Sequence, residues 1–401
     1  MLEIKPIINA LRRSKVGAIL LLIQIAITTA IVSNAAFIIQ DRLTYLQQDT
    51  GYPEQDIFSL SVMTYGKERD LSQQFEEDEN MLRNLPGVVD AAITNAVPLS
   101  GSGSASGMGL KPAPEPGRNV RSGYLMADDH MLNTLGVTLS EGRNFYPDDV
   151  IVTQDPNKLP KVAIATRTFA DEAFPDGDGL GKVMYIGDRP FKIIGIVDRM
   201  KGPWLKDDRP DNVIIFPYIK AETYQHIIIR TEPGQRATVM QTIEDKMLAA
   251  YDKRVITNVI ALDENKRQYN ASDTLMMRML MVLIVVLVAI TALGIFGLTL
   301  FNISKRTRQI GTRRALGARK SDIIRYFLVE NTLICAGGLV IGCSAAIFMG
   351  QQLLQRFSLP ALEMQYVAGT ALMVLAMTLL AVIFPARRAA QISPSVATRS
   401  I

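Results

Sequence analysis

The sequence predicts a membrane protein of four transmembrane α-helices, with a large α+β two-lobed extracytoplasmic domain between the first and second. Three observations carry that expectation. The apolar residues are gathered into four long runs, the charges separate by sign along the chain, and the stretch between the first two runs alternates strand and helix patterns around glycine and proline turns.

At 401 residues the chain exceeds the usual single domain. Its hydrophobic fraction of 48% and mean hydropathy of +0.16 are high for a soluble protein of this size. The runs are Val16–Ile39, Leu275–Leu300, Phe327–Met349 and Val367–Phe384. Each is long enough to cross a hydrocarbon core of roughly 30 Å at about 1.5 Å per residue, the last with little tilt. The first run is too long for the core of a cleavable signal peptide, so residues 16–40 are expected to stay as the first transmembrane helix.

Charge sets the orientation. Outside residues 41–272 the chain holds 17 Lys+Arg and 5 Asp+Glu, which leaves 26 and 34 of the totals of 43 and 39 inside that segment. The basic excess lies in three short stretches, Lys5–Lys15, Lys305–Arg325 and Arg387–Arg399. The positive-inside rule places all three, and so both termini, in the cytoplasm. Residues 41–272 are then extracytoplasmic: periplasmic in a Gram-negative cell, extracellular otherwise. The two cysteines, Cys335 and Cys343, fall in the third run, so this domain has no disulfide framework.

Along the chain, residues 1–15 have the pattern of a short interfacial helix, with Leu2, Ile4, Ile7, Ile8 and Leu11 against Lys5, Arg12, Arg13 and Lys15. Helical spacing continues past the first span over Gln40–Gln48 and precedes the second over Ile260–Met281, as two polar-faced stalks. Between them the spacing predicts strands at Ile57–Met63, Val88–Ala92, Lys161–Ala165, Lys182–Ile186, Phe191–Val197, Val213–Phe216, Ile227–Arg230 and Ile256–Ala261. Helices are predicted at Leu71–Asn84, Arg167–Phe174 and Ala237–Tyr251, and Asn95–Arg121 reads as a Gly/Ser/Pro-rich excursion.

No constellation for catalysis emerges. Gly181-Lys182 is followed by Val183 and preceded by Asp176 where a phosphate-binding loop needs a hydroxyl residue and a glycine, so this stretch is a turn. The run SGSGSASGMG, Ser100–Gly109, lacks dinucleotide-loop spacing and reads as a mobile loop. His130 and His226 stand far apart without metal-type spacing and read as structural. No catalytic residue, bound cofactor or metal is expected in this chain, and no nucleic-acid partner.

Two other signals stand out. Gly338, Gly342, Ala346 and Gly350 recur every four residues and give the third span a small-residue face, suited to packing within the four helices or to a dimer interface. Ala26, Ala30 and Asn34 give the first span a weaker one. Glu330, near one end of the third span, needs a partner, and Arg325 is a candidate.

The stretch Arg306–Glu330 carries Arg306, Ile310-Gly311, Arg314-Ala315, Gly317-Ala318, Ile323-Ile324 and Glu330. It resembles the loop between the second and third spans of the MacB/FtsX-type ABC transporter permeases, whose pattern runs approximately R-x-x-E-I-G-x-x-R-A-x-G-A. Gln309 departs from it, where the family usually has Glu. The tail, with Pro385, Ala386, Ala389, Pro394, Ala397 and Arg399, is similar to the family's ending, with Thr398 in place of Leu. Leu135–Phe145, Lys161–Pro175 and Gly179–Val197 fit its MacB-like periplasmic core, so the resemblance covers nearly the whole chain.

That resemblance implies an inner-membrane, multi-pass permease subunit without its own ATPase site. Its partners would be an ABC ATPase subunit dimer that binds ATP and Mg, a second permease in a homo- or heterodimer, a membrane-fusion adaptor protein and the lipid bilayer. The implied domains are a MacB-like core over 41–272, with an inserted lobe at about 96–188, and an FtsX-like permease domain over 273–401. The latter holds a coupling loop at 303–326 and a cytoplasmic tail at 385–401. The implied coupling residues are Arg306, Gln309, Ile310, Gly311, Arg313, Arg314, Ala315, Leu316, Gly317 and Ala318. Lipid binding requires only charge, whereas Gly311, Ala315 and Gly317-Ala318 supply a small surface and a helix stop suited to a protein groove. The function implied is mechanotransmission of ATP-driven motion to the periplasmic domain, driving efflux of a drug, peptide or similar substrate. A regulator of a periplasmic hydrolase and a lipoprotein-release permease share the architecture.

Overall fold

The structure, a computed structural model, describes residues 15–66, 70–155, 158–357 and 360–392. The interfacial helix expected at the N-terminus and the tail positions Pro394, Ala397, Thr398 and Arg399 lie outside them. The chain divides into two compact units, one of residues 1–44 with 273–401 and the other of residues 45–272.

The chain enters through α1 (Lys15–Leu46) and then builds the α/β unit. Strand β1 (Ile57–Thr64) is followed by α2 (Leu71–Arg83), β2 (Val88–Thr94), β3 (Ser104–Gly109), β4 (Asn119–Ala127) and α3 (Met131–Leu135). Next come β5 (Leu139–Gly142), β6 (Ile151–Thr153), β7 (Val162–Thr166), α4 (Arg167–Ala173), β8 (Val183–Ile186), β9 (Arg189–Val197) and β10 (Val213–Lys220). The unit closes with β11 (Tyr224–Thr231), α5 (Arg236–Ala250), β12 (Arg254–Ala261) and α6 (Leu262–Tyr269).

Its first sheet runs β12-β1-β11-β2, every pair antiparallel. Period-two alternation decides which face each residue takes. Phe58, Leu60 and Val62 of β1 join Ile227 and Ile229 of β11 under α2 and α5, which contribute Phe75, Leu82, Val239, Ile243 and Met247. Each such side chain stabilises the fold by about 1.5–3 kcal/mol on burial. Asp70 accepts a hydrogen bond from the Ser72 amide (2.9 Å) and so starts α2, and the buried Asp78 holds Arg254 of β12 through both carboxylate oxygens at 2.8 Å.

The second sheet follows the order β4-β3-β8-β9-β7-β10, and β10 also pairs in parallel with β4, from Val213↔Gly123 to Pro217↔Ala127. The pairings therefore close into a six-stranded barrel, with β5 added beside β9 and β6 beside β10. Closure leaves no free edge around the ring. Met108, Val120, Ala163, Ala165, Met184 and Phe191 are among the residues filling its interior, together with Phe169, Ala170 and Ala173 of α4. A third core joins the outer barrel face to the first sheet, with Leu125, Ile164, Val197 and Ile215 against Ile57, Ala92 and Ile228.

Two expectations change here. The inserted lobe does not finish near residue 188: β9 pairs with both β7 and β8, and β10 pairs with β4 and β7, so the second sheet runs on to Lys220. The Ser100–Gly109 run is not a mobile loop. Ser104–Gly109 pairs with Tyr124–Asn119 residue by residue. Ahead of it, the Gly101 amide donates to Pro203 O (2.8 Å), and the Trp204 indole donates to Gly101 O (2.9 Å). A Cβ at Gly101 would stand 2.1 Å from the Tyr269 ring, so the glycine is there for close approach.

The second unit contains α1, α7 (Ala271–Lys305), α8 (Thr307–Ala315), α9 (Lys320–Phe357) and α10 (Met364–Ala389). Four of these helices are long and apolar enough to cross a membrane. On α7, Val282, Val285 and Leu293 are 63%, 66% and 68% exposed, an apolar face that fits lipid rather than water. Inside the unit, Leu21 and Ile25 of α1 meet Ile295 of α7, Phe327 and Ile334 of α9, and Val374 and Val382 of α10. Thr28 and Thr291 share a hydrogen bond of 2.8 Å, and Arg42 lies 3.8 Å from Asp273. The last helix continues through the buried Pro385 to Ala389, longer than its apolar run.

Candidate functional site

The site is built at the corner between α7 and α9. The Arg306 backbone breaks the helix for one residue, and Ile310 N donating to Arg306 O (2.9 Å) restarts it as α8. Ile310 and Gly311 are the buried residues of α8, with Ile310 in the core that holds Ile303, Ile323 and Phe327. At its far end, the Gly317 amide donates to Arg314 O (3.2 Å) and the Ala318 amide to Arg313 O (3.0 Å), with Gly317 at φ +95°. This paired closure uses a left-handed residue, which is why glycine stands there. The Arg314 guanidinium adds a bond to Ala318 O (3.0 Å), and Asp322 accepts from the Arg319 amide (2.9 Å) to start α9.

Arg306 was expected among the docking residues, but its guanidinium turns inward. It donates to both Glu330 oxygens at 3.0 Å and to the Tyr326 hydroxyl at 3.2 Å, and Arg313 stacks over the Tyr326 ring at 5.2 Å. Glu330 is therefore paired with Arg306 of the preceding corner, not with Arg325, which is exposed. Geometry on one helix explains the difference: five residues at about 100° each set Arg325 roughly 140° around α9 from Glu330. The need for a partner was legible from an acid in an apolar run; which arginine supplies it was not.

Exposed to the surroundings are Arg308, Gln309, Thr312, Arg313, Ala315, Leu316 and Gly317. Leu316 is 84% exposed, a lone apolar knob among cations. Within the expected coupling loop at 303–326, the short helix spans Thr307–Ala315, and Leu316–Ala318 form its stop. Residues 320–326 of the expected loop are the first turns of α9.

The small-residue face of α9 packs against α1 of the same chain. A Cβ on Gly338 would lie 2.7 Å from Ile25, one on Gly342 would lie 2.8 Å from Ala26 O, and one on Gly350 would lie 3.3 Å from Asn34 Oδ1 and 2.8 Å from Leu362 ahead of α10. Asn34 donates to Ala346 O (3.0 Å), so the matching stripe of α1 is the partner surface.

Four membrane-length helices, an α/β domain between the first and second, and a pinned basic helix between the second and third define a membrane permease. A model of the MacB-like periplasmic core domain matches residues 16–246, and one of the FtsX-like permease C-terminal domain matches residues 281–394. The chain belongs to the MacB/FtsX-type ABC permease family. It is 31% identical over 233 residues to the probable syringafactin export ATP-binding/permease protein SyfD of Pseudomonas syringae pv. syringae, covering 55% of this chain and 35% of that protein. It is 26% identical over 336 residues to the macrolide export ATP-binding/permease protein MacB of Shewanella sp. strain ANA-3, covering 79% of this chain and 47% of that protein. The chain thus spans between about a third and a half of the curated relatives it matches. Among solved structures it is similar to the periplasmic region of MacB from Actinobacillus actinomycetemcomitans, with a TM-score of 0.34 and 16% identity over 56% of this chain and 97% of that one.

Proposed function

We propose that this chain is the permease subunit of an ABC exporter and that α8 is docked by a separate ATPase subunit dimer. The observation carrying the reading is the corner geometry: a short helix pinned on its inner side by Ile310 and Arg306, with a basic outer side topped by Leu316. A helix so held passes displacement to α7 and α9 rather than absorbing it. The positive-inside rule puts this corner and both chain ends in the cytoplasm and residues 41–272 in the periplasm. In this reading ATP and Mg are held by the ATPase subunit. A second permease, a membrane-fusion adaptor and a periplasmic cargo complete the proposed machine, in line with the export function in the relatives' names.

The test is Leu316→Asp in the full chain, co-expressed with an ABC ATPase subunit that co-purifies with the wild-type chain. Co-purification and permease-stimulated ATP turnover should fall at least tenfold, because the knob would carry a charge into the partner's groove. Undiminished turnover would sink the docking role of α8. Stimulated turnover with no solute efflux would replace export by mechanical control of a periplasmic partner.

A further inference from the structure

The barrel of the α/β unit is stoppered at one end only. β7 leads directly into α4, whose Phe169, Ala170 and Ala173 fill that end. At the other end β7 and β9 begin and β4 and β10 finish, as their parallel and antiparallel registers require. There a cavity of about 180 Å³ opens, lined mostly by apolar side chains such as Met126, Leu159, Phe191 and Phe216, with Ser106 and Arg189 also in its wall. Its aromatic wall is continuous: Phe191 packs edge-on to Phe216 at 5.1 Å, and Phe216 to Tyr124 at 6.1 Å.

A second cavity of about 310 Å³ adjoins it and shares Tyr124 and Met126. The pairs Ser104 with Ser106, Tyr124 with Met126, and Phe216 with Tyr218 are each two residues apart on one strand, so both hollows follow the same inward face. The chemistry changes along it. The second hollow is bounded by Thr94, Asn95, Ser104, Lys220, Glu222 and His226. Lys220 and Glu222 are paired with each other, and burial holds the His226 imidazole below its ordinary range, with its Nδ1 3.1 Å from Ser61 Oγ. The polar end therefore offers hydrogen bonds and no net charge.

We propose that the open mouth of this barrel binds a single-chain amphiphile, its apolar tail against the wall formed by Phe191 and Phe216 and an uncharged or zwitterionic head at Asn95, Lys220 and Glu222. Barrel mouths are common ligand sites, and the larger hollow reaches the lower end of the usual volume range of roughly 300–1,000 Å³. Binding stands on the cavity itself. That the amphiphile is cargo rests on the exporter reading.

The probe is dodecylphosphocholine with a photoreactive diazirine at the chain end, applied below micellar concentration to the full chain in lipid nanodiscs. Adducts mapped by mass spectrometry should be saturable and centre on Met126, Phe191 and Phe216. Unlabelled dodecylphosphocholine should compete at least tenfold better than dodecanoate. Ser106→Trp, which fills the mouth, should cut labelling there at least tenfold without moving the thermal midpoint. If that variant misfolds, the wild-type adduct map and competition decide alone. Non-saturable labelling, or adducts confined to the membrane helices, overturns the site, and equal competition by dodecanoate overturns the neutral head. With the ATPase assembled, labelling that leaves ATP turnover unchanged overturns the cargo role only.

Discussion

Replacing Arg306 by alanine should destabilise the membrane unit by about 3 kcal/mol, the low end of the range for stripping a buried ion of its partner. The Glu330 side chain is 3% exposed and Arg306 16%, and three hydrogen bonds join Arg306 to Glu330 and Tyr326. The variant leaves a carboxylate in apolar surroundings with no countercharge, while the residual access of Arg306 to solvent keeps the loss from the top of the range. A loss of about 3 kcal/mol is roughly a hundredfold in the folded-to-unfolded ratio. Reversible unfolding of the full chain in mixed micelles, followed by helical circular dichroism, measures it. Arg325→Ala, which removes an exposed cation from the same region, should cost less than about 0.5 kcal/mol. The pair Arg306→Met with Glu330→Leu should recover most of the loss, since no charge is then stranded. Equal effects of Arg306→Ala and Arg325→Ala, or a double variant no better than the single, would refute the reasoning.

Gly342→Val should separate α1 from α9, because a Cβ would sit 2.8 Å from a backbone oxygen that cannot step aside, at a cost of about 1–3 kcal/mol in the same assay; a neutral result removes the close-packing account. Asp78→Ala should cost about 3–5 kcal/mol by leaving Arg254 buried and unpaired, whereas Glu222→Ala on an exposed pair should cost under about 1 kcal/mol. The α/β unit should lose stability as pH rises from mildly acidic to alkaline. Burial and the neighbouring Asp128 hold the Glu79 carboxyl well above its usual range, and Asp90 raises His130. Both contributions are complete below the unfolded values of about 4.3 and 6.5 and fade as pH climbs through the folded ones. Asp90 is lowered and works the other way, losing its share only on acidification below the ordinary carboxylate range. His226, lowered by burial, adds stability as pH rises to about 6.5, so the net loss belongs to the range above it. Thermal midpoints against pH test this, and an unchanged slope in Glu79→Gln would show that Glu79 is not the group responsible.

Much of the architecture is a property of local sequence. Four apolar runs dictate four membrane-length helices, because each helix satisfies its own backbone and needs only length and apolarity. Strands β1, β2 and β7 to β12 of the α/β unit were also legible, as in β1, where Phe58, Leu60 and Val62 alternate with Ser59 and Ser61, whereas β3 to β6 were not. Gly317 was readable as the end of α8 because a left-handed closure there requires glycine. The chain alone also marked Glu330 as an acid in need of a partner and Gly338, Gly342, Ala346 and Gly350 as one face.

Tertiary structure decided which surfaces those features meet. The partner of Glu330 is 24 residues away across the α7–α9 corner, and Thr28 finds Thr291 at a separation of 263. Ser104–Gly109 becomes a strand because β4 supplies its hydrogen bonds, although its small residues favour a loop in isolation. The pairings of β9 and β10 with β7 carry the second lobe on to Lys220, and the barrel closes because β10 also reaches β4. Periodicity along a chain says which face is apolar; it carries no record of which distant face will cover it. That choice is made by packing, where every buried group must find its complement at once.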